Sequence, residues 1–536
     1  MGLKEFLSES KGFAVPITET NFEDYLTDES RFRGYASALV RAREERHVID
    51  LVRLANRYGV RLTVVSGKTS LTGAPIPLGG VVIDIKGLDS ISSSDPTVVG
   101  PGVIVRHYKE HVDGLGFFYP PDPTSKDSCT IGGNVACNAS GALSYLYGPT
   151  RDYIQGLKIV LPTGTVLDIK RGDITSAGGA FRIPDGLLTD HGTRDLVVPL
   201  PKRTSPEWGV CKNAAGLYSS EPMDLVDLFI GSEGILGIIL QVRTKLLPRR
   251  RPYFALMLYL PSRELTTNFV TLLDKFKRCF HDGESRLKGE IERILRSIAE
   301  TGEPRSYESF DKVVPACMEW FGTGVAAFLS PEQSCKLKNH YGSLYIEQEY
   351  DRGDDPLETA GQWADLVQLI NSGGPAKGRG IEAEVALDEG QIRNWKNERK
   401  AVPEKLNEAI RPGLTKIGMD YAVPMKLLDD FLKLYDDMLP RGRSYVFGHI
   451  GNAHLHVNIL PERDEDAASC RDVSRRIGQE VVKMGGTVSG EHGIGKLKRE
   501  ALEMMIGIDG INEIRRIKKL FDPQQILNIG NMVSMQ

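Results

Sequence analysis

Three of the chain's ten histidines crowd into one short segment, GHIGNAHLHVNIL: His449, His454 and His456. On an extended strand side chains alternate, so His454, His456 and Asn458 share one face. His449 precedes the turn Gly451-Asn452-Ala453 and can fold back toward that face. Downstream, SGEHGIGK sets Glu491 beside His492. Two imidazoles and a carboxylate make a donor set for a borderline divalent metal with open coordination positions. A lone strand histidine is usually structural; a cluster followed by a Glu-His pair leaves a metal site and a structural role both open.

Two Gly-rich loops come earlier. In VVSGKTSLTGAPIP (64–77), GKT resembles a nucleotide P-loop, but Leu62 stands where that motif needs glycine. Gly67, Thr69, Ser70, Thr72 and Gly73 can aim amides and hydroxyls at a pyrophosphate, or form an ordinary tight turn. In 120–157 the small residues Gly132, Gly133, Ala136, Ala139, Ser140 and Gly141 permit close approach of a large flat ligand. Thr130, Asn134, Asn138 and Arg151 offer it polar contacts. GEHGIGKL fits GxxxxGK but ends in Leu497, which has no hydroxyl for magnesium. GTGVAA and GRGIEA open no βαβ unit, so a nicotinamide Rossmann site is unsupported.

The elements that must position these residues are legible in outline. Val48, Leu51, Val52, Leu54 and Ala55 recur at helical spacing over 45–58, and apolar β-branched runs follow at 61–66 and 81–85. Helix, strand, Gly-rich loop and strand suggest an α/β unit. LKIVLPTGTVLDI reads as strand-like, and 171–224 as an insertion of loops. Pro248-Arg-Arg-Arg-Pro252 reads as a domain linker whose charges form a solvated joint. From 253 to 465, FALMLYL, SLYIEQEY, SYVFGHI and HLHVNIL alternate with polar amphipathic helices, an α+β texture.

Composition narrows the class. The 536 residues are 41% hydrophobic and 26% charged, enough for a sizeable core and inconsistent with general disorder. A net charge of −4 without a basic run argues against nucleic acid as partner. The seven cysteines contain no CxxC, which suits a reduced interior and excludes a cysteine-ligated iron–sulfur cluster. MGLKEFLSESKGF has neither a basic nor an apolar run, and no stretch reaches the ~18 apolar residues of a membrane span. A cytoplasmic protein without an integral membrane segment is expected, with peripheral docking through a partner left open.

Five ordered motifs then resemble one family. SGKTSLTG, PPDPTS…TIGGNVACNASG…YGPTRD, IGSEGILGI, GHIGNAHLH with SGEHGIGK, and FDPQQILNIG together resemble the FAD-linked D-2-hydroxy-acid dehydrogenases of the vanillyl-alcohol-oxidase type. Members oxidise D-lactate, glycolate or D-2-hydroxyglutarate. The resemblance implies an α+β fold: a two-part FAD-binding domain of two α/β subdomains over 1–250, a substrate or cap domain with an antiparallel sheet flanked by helices over 251–470, and a C-terminal segment, 471–536, returning to the FAD domain. It implies FAD contacts at Ser66, Gly67, Lys68, Thr69, Ser70, Gly73, Pro121, Asp122, Thr124, Thr130, Gly133, Asn134, Asn138, Gly141, Arg151, Glu233, Gly234, Ile239 and Asn528. His449, His456 and Glu491 match the family's divalent-metal ligands (zinc or manganese), Arg399 and Asn458 its substrate contacts, and His492 its catalytic base.

The chain departs from the family in four places, one of them the insertion at 171–224, which exceeds that of compact members. Ser66-Gly67-Lys68 replaces three consecutive glycines. Gly451-Asn452-Ala453-His454 lacks an aspartate, leaving His454 a supporting or structural residue. Lys416 lies two residues too early relative to Asp420 to match the family lysine. The implied reaction is oxidation of a 2-hydroxy acid to the 2-oxo acid, with a quinone, an electron-transferring flavoprotein or an iron–sulfur subunit as acceptor. The alternatives are an alkylglycerone-phosphate-synthase-like FAD transferase, a metal-dependent hydrolase and a non-catalytic flavoprotein subunit.

Overall fold

The computed structural model describes residues 2–13, 16–184, 195–201, 209, 211–298, 306–373 and 379–534. The chain forms two compact units: Met1–Gly141 with Gly148–Arg249 and Thr487–Gln536, and Ala142–Tyr147 with Arg250–Gly486.

In the first unit β1 (Ala38–Arg41), β2 (Leu62–Val65) and β3 (Val81–Asp84) pair in parallel with β3 central. Helix α1 (Glu45–Tyr58) joins β1 to β2 and buries Val48, Leu51, Val52, Leu54 and Ala55, the spacing a one-sided helix requires. It stops at Gly59, whose φ of 64° is left-handed and whose N–H caps the Ala55 and Asn56 carbonyls. A second, antiparallel sheet holds β4 (Ile154–Val160), β5 (Val166–Lys170) and β6 (Ile238–Thr244). One apolar core, including Val40, Leu51, Ile83, Val160, Leu240 and Ile526, joins both sheets. The chain's end lies along β2, with Leu62 N–H on the Ile526 carbonyl at 2.7 Å.

The 171–224 segment, read as loops, contains an antiparallel pair, Ala180–Ile183 with Leu196–Pro199. Residues 185–194, 202–208 and 210 of it lie outside the described residues. Its base is braced by charge. Asp227 binds Arg151 at 2.9 Å and Arg171 at 2.8 Å, and Arg151 also donates to the Ile230 carbonyl at 2.6 Å.

The second unit is built on an antiparallel sheet of seven strands: β7 (Tyr253–Leu260), β8 (Pro315–Gly322), β9 (Gly342–Glu349), β10 (Glu382–Ala386), β11 (Ile417–Ala422), β12 (Ser444–Gly448) and β13 (His454–Ile459). Their spatial order is β10-β7-β9-β8-β12-β13-β11. Cross-strand register sorts the side chains into two faces. Leu256, Ile346 and Met318 stand opposite one another, as do Leu258, Leu344 and Trp320, forming an apolar face. It lies under α3 (Arg263–Phe276) and α4 (Pro356–Ser372), whose Phe269 and Trp363 rings meet edge-on. Trp363 Nε1–H donates to Gln348 on that face at 3.0 Å.

The opposite face is polar. Glu319 pairs with Tyr345, Cys317 with Glu347, Phe321 with Phe447, Phe447 with His456 and His456 with Asp420. Helix α5 (Glu389–Glu408) meets it through Lys396, 2.9 Å from Glu347, and Arg399, 3.1 Å from Glu319. Helix α6 (Asp464–Lys483) is tied to β11 by Tyr421 Oη–H on the Ser474 carbonyl at 3.1 Å, so this unit runs on to Gly486.

One expectation is corrected. Arg250 of the linker is not a solvated joint: its side chain is 14% exposed and contacts Glu349 at 2.7 Å and Glu347 at 2.8 Å. Burial pushes the Glu347 carboxyl up, but Lys396 and Arg250 outweigh it and hold the group at about 2. Among the described residues no helix is long and apolar enough to cross a membrane.

The Asp227 brace yields a stability contrast. Asp227→Ala strands two guanidiniums and is expected to cost about 3–5 kcal/mol in urea unfolding. Asp168→Ala breaks the more exposed pair with Arg243 and is expected to cost less than about 1 kcal/mol. Burial raises the Asp227 carboxyl, but Arg171 and Arg151 hold it below the usual range. With the folded value below the unfolded one, this contribution is full above the ordinary carboxylate range and fades as pH falls through the folded value.

Candidate functional site

Each unit assembles its own group of polar side chains. In the first, the loop after β2 meets the loop that opens α2 (Ile131–Cys137). Ser66 and Thr130 hydroxyls lie 2.9 Å apart, and Thr130 caps α2 by accepting from Gly133 N–H. A side chain at Gly67 would meet Cys129 Cα and the Ser128 carbonyl at 2.9 Å, so the approach demands glycine. Lys68 adopts φ 56°, a left-handed conformation that glycine takes without strain. Its ammonium is turned to Asp24 at 2.8 Å and lies over the Tyr25 ring.

Further FAD candidates fall into three groups. Asn134 is 3% exposed, and its Nδ2 has no protein partner. Asn138 (φ 48°) accepts from Arg151 N–H at 3.0 Å, while Gly141 packs on the Asp122 backbone so closely that a Cβ would lie 2.1 Å from its carbonyl. The Arg151 guanidinium serves the Asp227 brace, Asp122 binds Lys109 and Lys126, Thr124 is exposed and Ile239 packs in β6. Pro121 lends its carbonyl to Lys109 at 3.0 Å. Ser70 and Thr72 bond within the first loop at 3.2 Å, next to Thr69 and Gly73.

The SGEHGIGK loop is pinned from several sides. Glu233 accepts Ile494 N–H at 2.5 Å and Gly495 N–H at 2.7 Å, while Asn528 donates to the Glu233 and Gly234 carbonyls. Lys496 donates to the Ala74 carbonyl at 2.9 Å and Asn531 Oδ1 at 2.6 Å, and burial pulls its amine down to about 7. Glu491 Oε2 accepts from Ser140 at 2.9 Å and Lys212 at 2.8 Å, and Asn213 and Ala214 bond Thr487 and Ser489. The tail of the 171–224 segment therefore holds the loop that bears Glu491 and His492. The His492 side chain is 26% exposed.

In the second unit the polar face gathers the imidazoles. A 3₁₀ turn, Ile450–Asn452, and Ala453 at φ 47° reverse the chain between β12 and β13. His449 thereby returns to the strand face: its ring lies 5.2 Å from His454 and 5.3 Å from His456, which are 4.7 Å apart. Fully buried His454 meets Asp420 at 2.6 Å, and Asn458 lies buried further along the same face. His449 Nδ1 lies 2.5 Å from one oxygen of Glu319, whose other oxygen meets Arg399 at 3.1 Å.

Glu319, Asp420 and Lys212 were not among the candidates the sequence offered. A single acid inside the apolar strand PACMEWFG was the available signal for Glu319. Asp420 was legible only as a motif position, and Lys212 by nothing local.

Known proteins resemble this chain over most of its length. Residues 36–170 match the FAD binding domain family, and residues 342–532 match the family described as FAD linked oxidases, C-terminal domain. Curated relatives include glycolate oxidase subunit GlcD of Bacillus subtilis (25% identity; 94% of this chain, 90% of the relative) and D-2-hydroxyglutarate dehydrogenase of Stutzerimonas stutzeri (26%; 94% and 92%). D-lactate dehydrogenase of Anaerostipes hadrus is 25% identical (95% and 92%). The fold is shared with p-cresol methylhydroxylase (TM-score 0.64, 13% identity, 99% and 96% covered) and alkyldihydroxyacetonephosphate synthase (0.59, 15%, 98% and 84%). The protein is thus a flavoprotein of the oxidase class. It belongs to the FAD linked oxidase family and is an FAD-dependent oxidoreductase.

The residues fit both implied groups. A buried amide donor at Asn134, beside glycines that admit no side chain, suits a flat, acceptor-rich ligand such as FAD. Imidazoles with carboxylates are donors of the kind a divalent metal takes. An orphaned buried donor costs stability until a ligand satisfies it. Asn134→Ala is therefore expected to leave the deflavinated protein as stable as before and to weaken FAD binding by about 3–10-fold, read by fluorescence titration.

Proposed function

We propose that the protein oxidises a D-2-hydroxy acid of the D-lactate, glycolate or D-2-hydroxyglutarate class to the 2-oxo acid. The observation that carries this reading is Arg399 and His449 on opposite oxygens of one buried carboxylate, which sets a guanidinium beside an imidazole cluster. The names of the curated relatives support the same substrate class. The seven cysteines, all free thiols, suit a reducing, cytoplasmic setting.

A 2-hydroxy acid resists oxidation because its hydroxyl holds its proton tightly. Bound FAD would supply a two-electron acceptor, and a divalent cation such as zinc or manganese, held by His449, His456 and Glu491, would supply a Lewis acid. Arg399 grips the substrate carboxylate with its planar fork, fixing which face presents the α-hydrogen. Asn458 offers its amide to the hydroxyl or carboxylate. His492 takes the hydroxyl proton as the α-hydrogen leaves with its electron pair, and the C–O bond becomes a carbonyl. Among the flavin candidates, Ser66 to Gly73 and Thr130 to Gly141 form the cradle, closed by Glu233, Gly234 and Asn528.

A second reading, an alkylglycerone-phosphate-synthase-like transferase, draws support from the shared fold and the imidazole cluster. It differs by giving no net electron output. Anaerobic dye reduction with D- and L-2-hydroxy acids separates the two: D-specific reduction is expected, and no reduction by any hydroxy acid favours the transferase. In the same assay His492→Ala is expected to retain FAD and lose at least ~10²-fold in turnover. Wild-type turnover in that variant would remove His492 from the base role.

A further inference from the structure

Glu319 is 4% exposed and sits in the middle of β8, between apolar neighbours. A carboxylate there is costly unless both oxygens are satisfied. They are satisfied by two groups of different proposed function. Oε1 takes His449 Nδ1 at 2.5 Å, and Oε2 takes an Arg399 guanidinium nitrogen at 3.1 Å. Resting on the reading above, we infer that Glu319 is a positioning residue that sets the metal-binding imidazole and the substrate-binding guanidinium together.

Glu319 acts on its two partners in different ways. A histidine whose Nδ1–H donates to a carboxylate is locked in one tautomer, with the lone pair on Nε2 and the ring more basic, the form a metal ligand needs. A guanidinium with one edge committed to Glu319 loses rotamer freedom and can offer its remaining N–H groups in one direction. The register provides the means. Glu319 stands opposite Tyr345, two residues from Phe321, which pairs with Phe447, itself opposite His456. One acid on β8 can therefore reach the turn after β12 on one side and α5 on the other. Lys396, one turn before Arg399, is already committed to Glu347 and cannot replace it.

Zinc titration of metal-stripped, FAD-loaded full-length protein tests the action on His449, and KM against kcat at saturating zinc tests the action on Arg399. Glu319→Gln is expected to bind zinc about 10–100-fold more weakly. Its kcat/KM should fall by ~10²-fold, mostly through KM, even when zinc is saturating. Arg399→Lys should bind zinc as the wild type does. Should Glu319→Gln fail to fold, Glu319→Asp keeps the charge but is one methylene too short to reach both partners, so zinc affinity or KM must still move about tenfold. If His449→Ala binds zinc like the wild type, the metal reading itself falls and this inference with it. If His449→Ala loses zinc while both Glu319 variants keep wild-type zinc affinity and KM, the inference alone is overturned.

Discussion

A carboxylate removed from water must be met by a cation or by proton donors, and that requirement organises the polar face of the seven-stranded sheet. Glu319, Glu347 and Glu349 are all buried on β8 and β9. Their partners come from segments distant in sequence: Arg250 where the chain enters this unit, and Lys396 and Arg399 from α5. The two α5 residues are spaced one turn apart, so one helix face serves two acids on adjacent strands. Removing Glu319 would leave the Arg399 guanidinium buried without this carboxylate, and α5 would lose one of its two ties to the sheet. The same pairing leaves the histidine turn beside an arginine, which is the arrangement the proposed chemistry uses.

The first unit obeys a different constraint, the close approach of backbone to backbone. Gly67 lies against residues 128 and 129, and Gly141 against Asp122, with no room for a Cβ. Where loops meet without strand pairing, side chains imitate the missing partner. Glu233 accepts two amides of the 487–496 loop, and Asn528 bonds Val64 N–H and two carbonyls. Burial raises the Glu233 carboxyl despite those amides. The surface is built here from short loops, and these polar pins give the loops a fixed shape.

Much of this was legible where pattern and period agree. Over 45–58 the helical spacing matches α1 at both ends, since Gly59 provides the stop. The runs FALMLYL, SLYIEQEY and HLHVNIL are strands in the structure because long apolar or alternating stretches have few other fates. Alternation also placed His454, His456 and Asn458 on one face. In the seven-stranded sheet three strands went unnoticed, Pro315–Gly322, Glu382–Ala386 and Ile417–Ala422, because each carries charge inside a short run. The same charges are the ones that matter: Glu319 and Asp420 are paired by residues far along the chain, and no local pattern announces such a partner. Arg250 was misjudged for that reason, since three arginines between prolines look solvated until Glu347 and Glu349 are placed.

In the proposed function the flavin's electrons come from a hydroxy acid whose activation depends on a metal held by the histidine face. The most direct measurement follows flavin absorbance in a single anaerobic turnover, in metal-stripped protein and after zinc or manganese is restored. The account predicts that a D-2-hydroxy acid leaves the flavin band unchanged in the stripped protein and bleaches it once the metal is returned, while the L-enantiomer does neither. Equal bleaching with and without metal would contradict it.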